Sequence, residues 1–204
     1  MTRKSSTIAG TLALGLTLAA CGGNAEEATP AASASSEAAS ASASSDVDET
    51  HNDADTEFAQ MMIVHHEGAI EMADLAVEKA ESEDVRSLAE GISAAQGPEI
   101  EKMTSWLEAW GEETSSAMEG MSGGGMEMDG MSQDEAMTQL EGQTGAEFDR
   151  NFLEMMIAHH KGAVEMAQTE LDNGENPQAL ELAQKIIDDQ QAEIAEMETM
   201  LQEL

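Results

Sequence analysis

The sequence predicts an all-α protein: a four-helix bundle made from two copies of one helical hairpin, preceded by a disordered N-terminal tether. The first observation is an internal repeat, in which FAQMMIVHHEGAIEMA at residues 58–73 reappears as FLEMMIAHHKGAVEMA at residues 152–167, 94 residues later. The second is that apolar residues in each copy recur at three and four positions, which is typical of amphipathic helices. Two hairpins joined by one long crossover indicate four long helices in a bundle.

The N-terminal segment predicts a targeting signal. Arg3 and Lys4 precede an apolar stretch over residues 8–20, and Leu-Ala-Ala-Cys at residues 18–21 matches a bacterial lipobox. The stretch is too short and too rich in Gly and Thr for a membrane-spanning helix, so we expect a lipoprotein signal peptide over residues 1–20. Cleavage would leave Cys21 lipidated, holding the chain to the cell membrane on its extracytoplasmic face, periplasmic or extracellular.

Cys21 is the only cysteine of the chain. The sequence therefore excludes an intramolecular disulfide, a zinc ribbon, a Cys-ligated iron–sulfur cluster and a catalytic thiol elsewhere. Residues 22–50 are mostly Ala, Ser, Glu, Gly and Thr, a composition that buries too little apolar surface to offset the entropy of ordering. We expect residues 21–54 to be the lipid anchor and a disordered linker.

The first copy of the repeat, residues 55–111, predicts two helices. Asp53 or Asp55 can cap the first of them, because both carry a side-chain oxygen just before the apolar periodicity begins. The second helix is expected to end at Gly111, since glycine suits the left-handed position beyond a helix. Pro98 falls inside this second helix and is expected to kink it, because proline removes a backbone hydrogen bond.

The second copy, residues 146–204, repeats the pattern. Its first helix is expected to begin near Gly145. Its second helix is expected to begin with Asn176 as the cap and Pro177 at the first helical position, where the missing N–H of proline costs nothing. Together the two copies make residues 55–204 the predicted four-helix bundle.

The crossover, residues 112–145, is rich in methionine and glycine. Methionines interleaved with glycines cannot pack a helical face, and mobile thioethers are ligands that select Cu(I) or Ag(I). Simple packing of the loop against the bundle is the alternative. A capping-box pattern at residues 132–135 could start a short helix. The possible secondary metal ligands are Met118, Met121, Met126, Met128 and Met131.

Doubled histidines follow doubled methionines by four residues in both copies. On the first helix Met61, His65 and Met72 fall within about 40° of one another, and Met62 and His66 form a second pair one turn apart. Burying four imidazoles without partners would be costly, whereas imidazole with thioether suits copper, with zinc on the histidines alone as second choice. The candidate metal ligands are His65, His66, Met61, Met62, Met72, His159, His160, Met155, Met156 and Met166.

Other classes of function fail specific checks. A net charge of −34 makes nucleic acid an improbable partner. The residues three before each paired histidine are Met or Ile, which excludes the Glu-x-x-His of a di-iron bundle, and no His-Glu-x-x-His motif is present. We find no catalytic residues and no other cofactor site. Glu71 and Glu165 match between the copies, and we interpret them as solvated or as carboxylates that orient an imidazole.

At these residues the chain resembles the bacterial domain-of-unknown-function family 305. The resemblance covers about residues 55–204 and both copies of Met-Met-x-x-His-His-x-Gly-Ala-x-x-Met-Ala. It also covers Gln-x-x-Glu-Ile-x-x-Met, which occurs at Gln96, Glu99, Ile100 and Met103, and at Gln190, Glu193, Ile194 and Met197. The resemblance implies a ferritin-like four-helix bundle that binds copper through His and Met. Pro98 and the long Met/Gly crossover depart from the family pattern.

The sequence thus favours a lipid-anchored, extracytoplasmic protein that binds Cu(I), and also Cu(II) or Ag(I), in copper buffering, trafficking or tolerance. The recipient of any transferred metal is not identifiable from the residues. Two alternatives remain open at this stage. One is a helical interaction module whose methionines bind a protein partner without metal. The other is a cuprous oxidase, for which the sequence offers no oxygen site or electron path.

Overall fold

The computed structural model describes residues 47–114 and 131–204, which form five α-helices: α1 (Asp53–Lys79), α2 (Glu83–Trp110), α3 (Gln133–Glu141), α4 (Gly145–Asn173) and α5 (Pro177–Glu203). The all-α prediction is confirmed. The predicted signal peptide, Cys21, most of the linker and the crossover residues Met118, Met121, Met126 and Met128 lie outside the described residues. Within the described parts of the chain, no helix is long and apolar enough to span a bilayer.

Local sequence signals account for most helix ends. Gly111 ends α2 with a positive φ of 76°, as predicted. Asn176 caps α5 with Pro177 in its first turn, also as predicted, and Ser132 starts the short helix α3 through a capping box. The start of α1 differs from the prediction, because Asn52 is the cap and the Asp55 carboxylate accepts a hydrogen bond from the backbone N–H of Asn52. Asp55 therefore completes the cap from inside the first turn.

Helix α2 continues through Pro98 and ends only at Trp110. Neither Gly97 nor Pro98 stops the helix, although each disfavours a helix interior. The packing of the buried side chains that flank this pair, Gln96 and Glu99, outweighs the local propensity.

The four long helices pack as two hairpins. Helix α1 packs along α2, α4 packs along α5, and α1 and α4 lie against each other between them. The short helix α3 lies over α1 and α4. This arrangement places the paired histidines of α1 and α4 at the centre of the molecule.

The apolar core divides into two clusters that are related by the repeat. One contains Phe58, Met62 and Met103 together with Leu182 and Ile186. The other contains the residues 94 positions later or earlier, namely Phe152, Met156, Met197, Leu88 and Ile92. One cluster thus contains the first half of α1 and the second half of α4, and the other contains the first half of α4 and the second half of α1. Along both α1 and α4, the histidines fall between the stretches that build the two clusters.

A carboxylate from each hairpin also accepts hydrogen bonds from the turn of the other hairpin. The Asp149 carboxylate on α4 accepts hydrogen bonds from the backbone N–H groups of Glu81 (3.0 Å) and Ser82 (2.8 Å) in the α1–α2 turn. Its repeat counterpart Asp55 on α1 accepts from the backbone N–H groups of Glu175 (3.1 Å) and Asn176 (2.9 Å) in the α4–α5 turn. Both carboxylates are buried, so these bonds couple the hairpins inside the structure.

A second carboxyl group lies beside Asp55. Glu170 on α4 is only 1% exposed, and neither of its side-chain oxygens receives a hydrogen bond from the described residues. Gly174 makes this arrangement possible, because a Cβ there would collide with the Glu170 carboxyl group. Burial, followed by the hydrogen bond and charge of Asp55, raises the pKa of Glu170 to about 8. Glu170 therefore keeps its proton at neutral pH, beside the Asp55 carboxylate.

Residues 47–52 fall within the predicted linker, and they lie against the bundle. The indole Nε1 of Trp110 donates to the Asp48 carbonyl (2.9 Å), and the His51 ring stacks on Trp110 with centroids 4.6 Å apart. The side chain of Asn176 donates to the carbonyls of Asp48 and Thr50. The chain is thus fastened to the ends of α2 and α5 just before α1 begins.

Candidate metal centre

A polar layer crosses the middle of the bundle between the two apolar clusters. It contains the four paired histidines, which are between 0% and 3% exposed, together with the buried residues Gln96, Glu99 and Gln190. Every residue of this layer has a counterpart 94 positions away in the other copy of the repeat. The counterpart of Glu99 is Glu193, which is half-buried. A polar layer inside an otherwise apolar bundle is costly unless its groups are satisfied.

His65 and His159 form the inner pair of this layer. Their ring centroids are 3.6 Å apart and the planes are tilted by 44°, so the two imidazoles from α1 and α4 touch. Burial, and then the charge of His160, lowers the pKa of His159 to about 3. Burial and the neighbouring His159 imidazole also lower the pKa of His65 well below its ordinary value. Both rings are therefore neutral at pH 7 and hold a free lone pair.

His66 and His160 form the outer pair, and each is held by a carboxylate. The Nε2 of His66 lies 2.9 Å from Oε2 of Glu99, and the Nε2 of His160 lies 2.6 Å from Oε2 of Glu193. A carboxylate only accepts, so Nε2 of each ring must carry a proton and donate it there. This fixes the tautomer and leaves Nδ1 as a lone-pair donor, the arrangement that orients histidine ligands in metal sites.

The Nδ1 atoms of all four histidines are buried and have no hydrogen-bond partner among the described residues. The same is true of the amide oxygens of Gln96 and Gln190. Leaving a buried polar atom unpaired costs roughly 1 to 3 kcal/mol each. Packing of the bundle requires no unpaired imidazole nitrogens, and this layer has four. They match the donor set that a borderline or soft metal ion needs.

The predicted methionine ligands divide between the two sides of this layer. Met62 is fully buried in the cluster on one side, with Met166 packed at its edge. Met72 and Met156 are fully buried in the other cluster, with Met155 at its edge. Met61 is half-buried. The structure therefore places thioethers on both sides of the imidazoles.

Among residues 47–114 and 131–204, no three His, Cys, Asp or Glu side chains are grouped closely enough to hold a metal ion by themselves. The four imidazoles alone thus do not form a ready zinc site of the usual kind. A metal site in this layer would need thioether ligands or a small movement of the rings. Thioether ligands favour a soft ion such as Cu(I).

Two sets of residues in this region were missed as site candidates from the sequence. Glu99 and Glu193 orient the outer histidines, whereas Glu71 and Glu165 are exposed and contact no imidazole. Met103 and Met197 are fully buried in the clusters that flank the layer. The signal that could have found them is the shared spacing, because each glutamate follows its histidine by 33 residues.

The crossover approaches the site through α3. The Gln133 amide donates to the backbone carbonyl of Gly68 (2.9 Å), one turn beyond His65 on α1. Of the five methionines proposed as secondary ligands, Met131 is described, and it packs half-buried against the cluster that contains Met72 and Met156. The end of the methionine-rich segment therefore lies over the α1–α4 interface.

The repeated glycines after the histidines provide a matched pair of substitutions. A Cβ at Gly162 would lie 3.2 Å from Nε2 of His65, which is itself pressed against His159, whereas a Cβ at Gly68 would meet only the flexible end of Gln133. We expect Gly162→Ala to destabilise the fold by about 1 to 2 kcal/mol through overpacking. Gly68→Ala should instead gain up to about 1 kcal/mol of helix propensity.

Urea unfolding measures both effects, and imidazole NMR resonances report on the histidine pair. Only Gly162→Ala should move the His65 and His159 resonances. Equal shifts in the two variants would show that His65 does not depend on the space at Gly162.

Comparisons with known proteins give a consistent result. The family model described as "Domain of unknown function (DUF305)" matches residues 55–201. A candidate secreted DUF305 protein from Streptomyces coelicolor is 33% identical, with a TM-score of 0.66, covering 74% of this chain and 93% of that one. A DUF305 fragment from Deinococcus radiodurans is 29% identical, with a TM-score of 0.64, covering 75% of this chain and 98% of that one.

A third similar structure is CopM. In its Cu(II)-bound form it is 37% identical to this chain, with a TM-score of 0.63, and the match covers 73% of this chain and 96% of CopM. CopM has also been solved in Cu(I)-bound, Ag-bound and apo forms. Comparison with curated protein sequences gave no match.

Proposed function

Because the chain belongs to the DUF305 family, we propose that it is an extracytoplasmic copper-binding protein that holds Cu(I) in the histidine layer. The observation that carries this proposal is the set of four buried Nδ1 atoms without partners. These atoms are costly while they lack a partner, and apolar side chains of similar size would pack the bundle better. A bound metal ion would satisfy them.

The electrostatics of the layer support binding of a cation at neutral pH. A metal ligand must be deprotonated, and the lowered pKa values of His65 and His159 keep protons from competing for these two rings. The Glu99 and Glu193 carboxylates hold the outer rings with Nδ1 free and add negative charge beside them. The layer therefore presents unprotonated ring nitrogens and nearby negative charge to a cation without any rearrangement of its protons.

The donor types support copper over zinc or a hard ion. Imidazoles lie in the layer with thioethers on both sides, and no group of three His, Cys, Asp or Glu side chains is present in the described residues. Thioether donors select Cu(I) and its analogue Ag(I). The copper-bound and silver-bound forms of CopM, a structure of the same fold, agree with this choice.

The location and role follow from the rest of the chain. The lipobox at Cys21 and the linker would hold the bundle at the outer surface of the cell membrane. The methionines of the crossover, Met118, Met121, Met126, Met128 and Met131, would collect copper and pass it to or from the histidine layer. A buffering, trafficking or tolerance role fits this design, since nothing in the layer supplies an oxygen site for oxidase chemistry.

The competing interpretation, a metal-free interaction module, receives little support from the described helices. Among the described residues, Val64 and Leu204 are the exposed large apolar side chains. They do not form the contiguous apolar patch that a partner helix would need. The methionines of the helices are buried or half-buried.

An anaerobic Cu(I) titration against a chromogenic competing chelator tests the proposal. The comparison is between the wild-type chain and a variant with His65, His66, His159 and His160 replaced by alanine. We expect the variant to bind Cu(I) more weakly by more than about 100-fold, because even substitutions behind metal ligands cost 10- to 100-fold.

His51→Ala is the matched control. This histidine stacks on Trp110 outside the layer, so its removal should leave the affinity unchanged. If the wild type and the four-histidine variant bind Cu(I) equally well, the histidine layer is not the site.

A further inference from the structure

The two copies of the repeat differ in the charged residues beside the polar layer. Lys185 on α5 has Gly91 on α2 as its counterpart, 94 residues earlier. The Lys185 ammonium lies 2.8 Å from Oε1 of Glu99 and 2.6 Å from Oδ2 of Asp189. Because Glu99 also accepts from His66, this side of the layer already contains a fixed cation bound to the carboxylate that holds the histidine.

The other side has the same carboxylate and histidine but no such cation. Glu193 accepts from His160 through Oε2, and no described residue donates to its Oε1. Nothing lies within 4 Å of a Cβ built on Gly91. The Glu193 side chain is 24% exposed, against 11% for Glu99 beneath Lys185. The missing side chain thus leaves the Glu193 carboxylate accessible, while His160 behind it stays buried.

An open groove of about 540 Å³ occupies this position between α2 and α5. Gly91 and Glu193 line it, together with the carboxylates of Glu196 and Glu203 and the side chain of Met200. No basic residue contributes to its wall. A concave surface of one charge sign concentrates ions of the opposite sign and speeds their arrival.

We propose that the groove at Gly91 is the port through which copper ions reach and leave the histidine layer, and that Lys185 closes the equivalent route on the opposite side. The inference rests on the proposed function. The argument comes from the repeat itself: a carboxylate that binds an ammonium in one copy faces solvent in the other. Directly behind it lies His160, a fully buried imidazole with its Nδ1 unpaired.

The proposed port gives a role to Glu193, Met200 and Lys185. Glu193 is both a wall of the groove and the hydrogen-bond partner of His160 Nε2, so a cation attracted by the groove reaches the carboxylate that holds this histidine. Met200 adds a thioether in the groove wall, which is a donor suited to a transient Cu(I) contact. On the opposite side, the Lys185 ammonium repels a second cation at the matching position.

Stopped-flow transfer of Cu(I) from a weak chromogenic chelator to the whole chain tests the proposal. Gly91→Lys gives Glu193 the lysine neighbour that Glu99 already has in Lys185. We expect this variant to load Cu(I) about 10-fold more slowly or slower still, because electrostatic steering changes association rates by 10- to 1,000-fold. Gly91→Glu has a side chain of comparable reach with the opposite charge and should load at least as fast as the wild type. Position 91 is an exposed helical site, where both substitutions improve helix propensity.

Ser105→Lys, at an exposed position of the same helix outside the groove, controls for the added charge and should load at the wild-type rate. If Gly91→Lys also loads at the wild-type rate, the port lies elsewhere, and the histidine site stands as long as equilibrium affinity is normal. If slowing appears equally in Ser105→Lys, the effect is one of net charge and the port is overturned. Absence of Cu(I) binding in the wild-type chain itself would reject the proposed function instead.

Discussion

Saturation with Cu(I) is expected to raise the thermal unfolding midpoint of the bundle by roughly 8 to 16 °C. A ligand that binds the folded state alone stabilises it by about 4 kcal/mol when free ligand is 1,000-fold above the dissociation constant. For a domain of this size each kcal/mol moves the midpoint by about 2 to 4 °C. The unfolded chain has no prearranged histidine layer, so most of the binding free energy becomes stability.

Anaerobic circular dichroism at 222 nm measures this shift, and a strong Cu(I) chelator added afterwards should reverse it. The four-histidine variant should shift by no more than about 2 °C, the equivalent of roughly 1 kcal/mol. His65→Gln with His159→Gln keeps the volume of the inner pair and provides a second variant if the alanine protein is unstable. A full shift in both variants would place the stabilising copper outside the layer.

The largest expected effect on the apo protein comes from Glu170→Gln, which should raise the free energy of unfolding at pH 9 by about 3 to 5 kcal/mol. Glu170 has an ordinary pKa of 4.5 and a folded-state pKa of about 8. Below pH 4.5 both states keep the proton. Between pH 4.5 and 8 only the folded state keeps it, so the free energy of unfolding falls with pH by about 1.4 kcal/mol per unit. Glutamine has nearly the same size and no ionisable proton, so it removes this loss.

Urea unfolding at several values between pH 5.5 and 9.5 tests the prediction. The gap between Glu170→Gln and the wild type should widen steadily with pH and level off above about pH 8, where the folded state also ionises. Glu165→Gln on the same helix is exposed and should show a constant gap near zero. A constant gap for Glu170→Gln as well would mean that the buried carboxyl group titrates normally.

The helices and the histidines could be predicted from the sequence because both depend on local pattern. Apolar spacing defines a helix, and Asn176 with Pro177 or Gly111 defines an end, without knowledge of the partner helix. The repeat added the information that His65 and His159 must be equivalent. That equivalence allowed two distant histidine pairs to be expected in one zone.

The contacts that complete the site depend on registers between helices, which no local pattern determines. His66 meets Glu99 only because the α1–α2 hairpin closes at the register that its turn dictates. Of the two interpretations of Glu71, five residues after His66, the solvated one agrees with its exposure. The contact of Lys185 with Glu99 requires α5 to pass beside α2. The pairing of Asp55 with the far turn requires the two hairpins to be assembled first.

The reciprocal turn contacts of Asp55 and Asp149 have a consequence for the symmetry of the chain. Each hairpin needs the carboxylate of the other for its own turn, and each apolar cluster needs side chains from both. A single hairpin would therefore satisfy these needs only by pairing with an identical copy around a twofold axis. The single chain has the pseudo-twofold architecture of such a homodimer, and a difference such as Gly91 against Lys185 is one that two identical chains could not have.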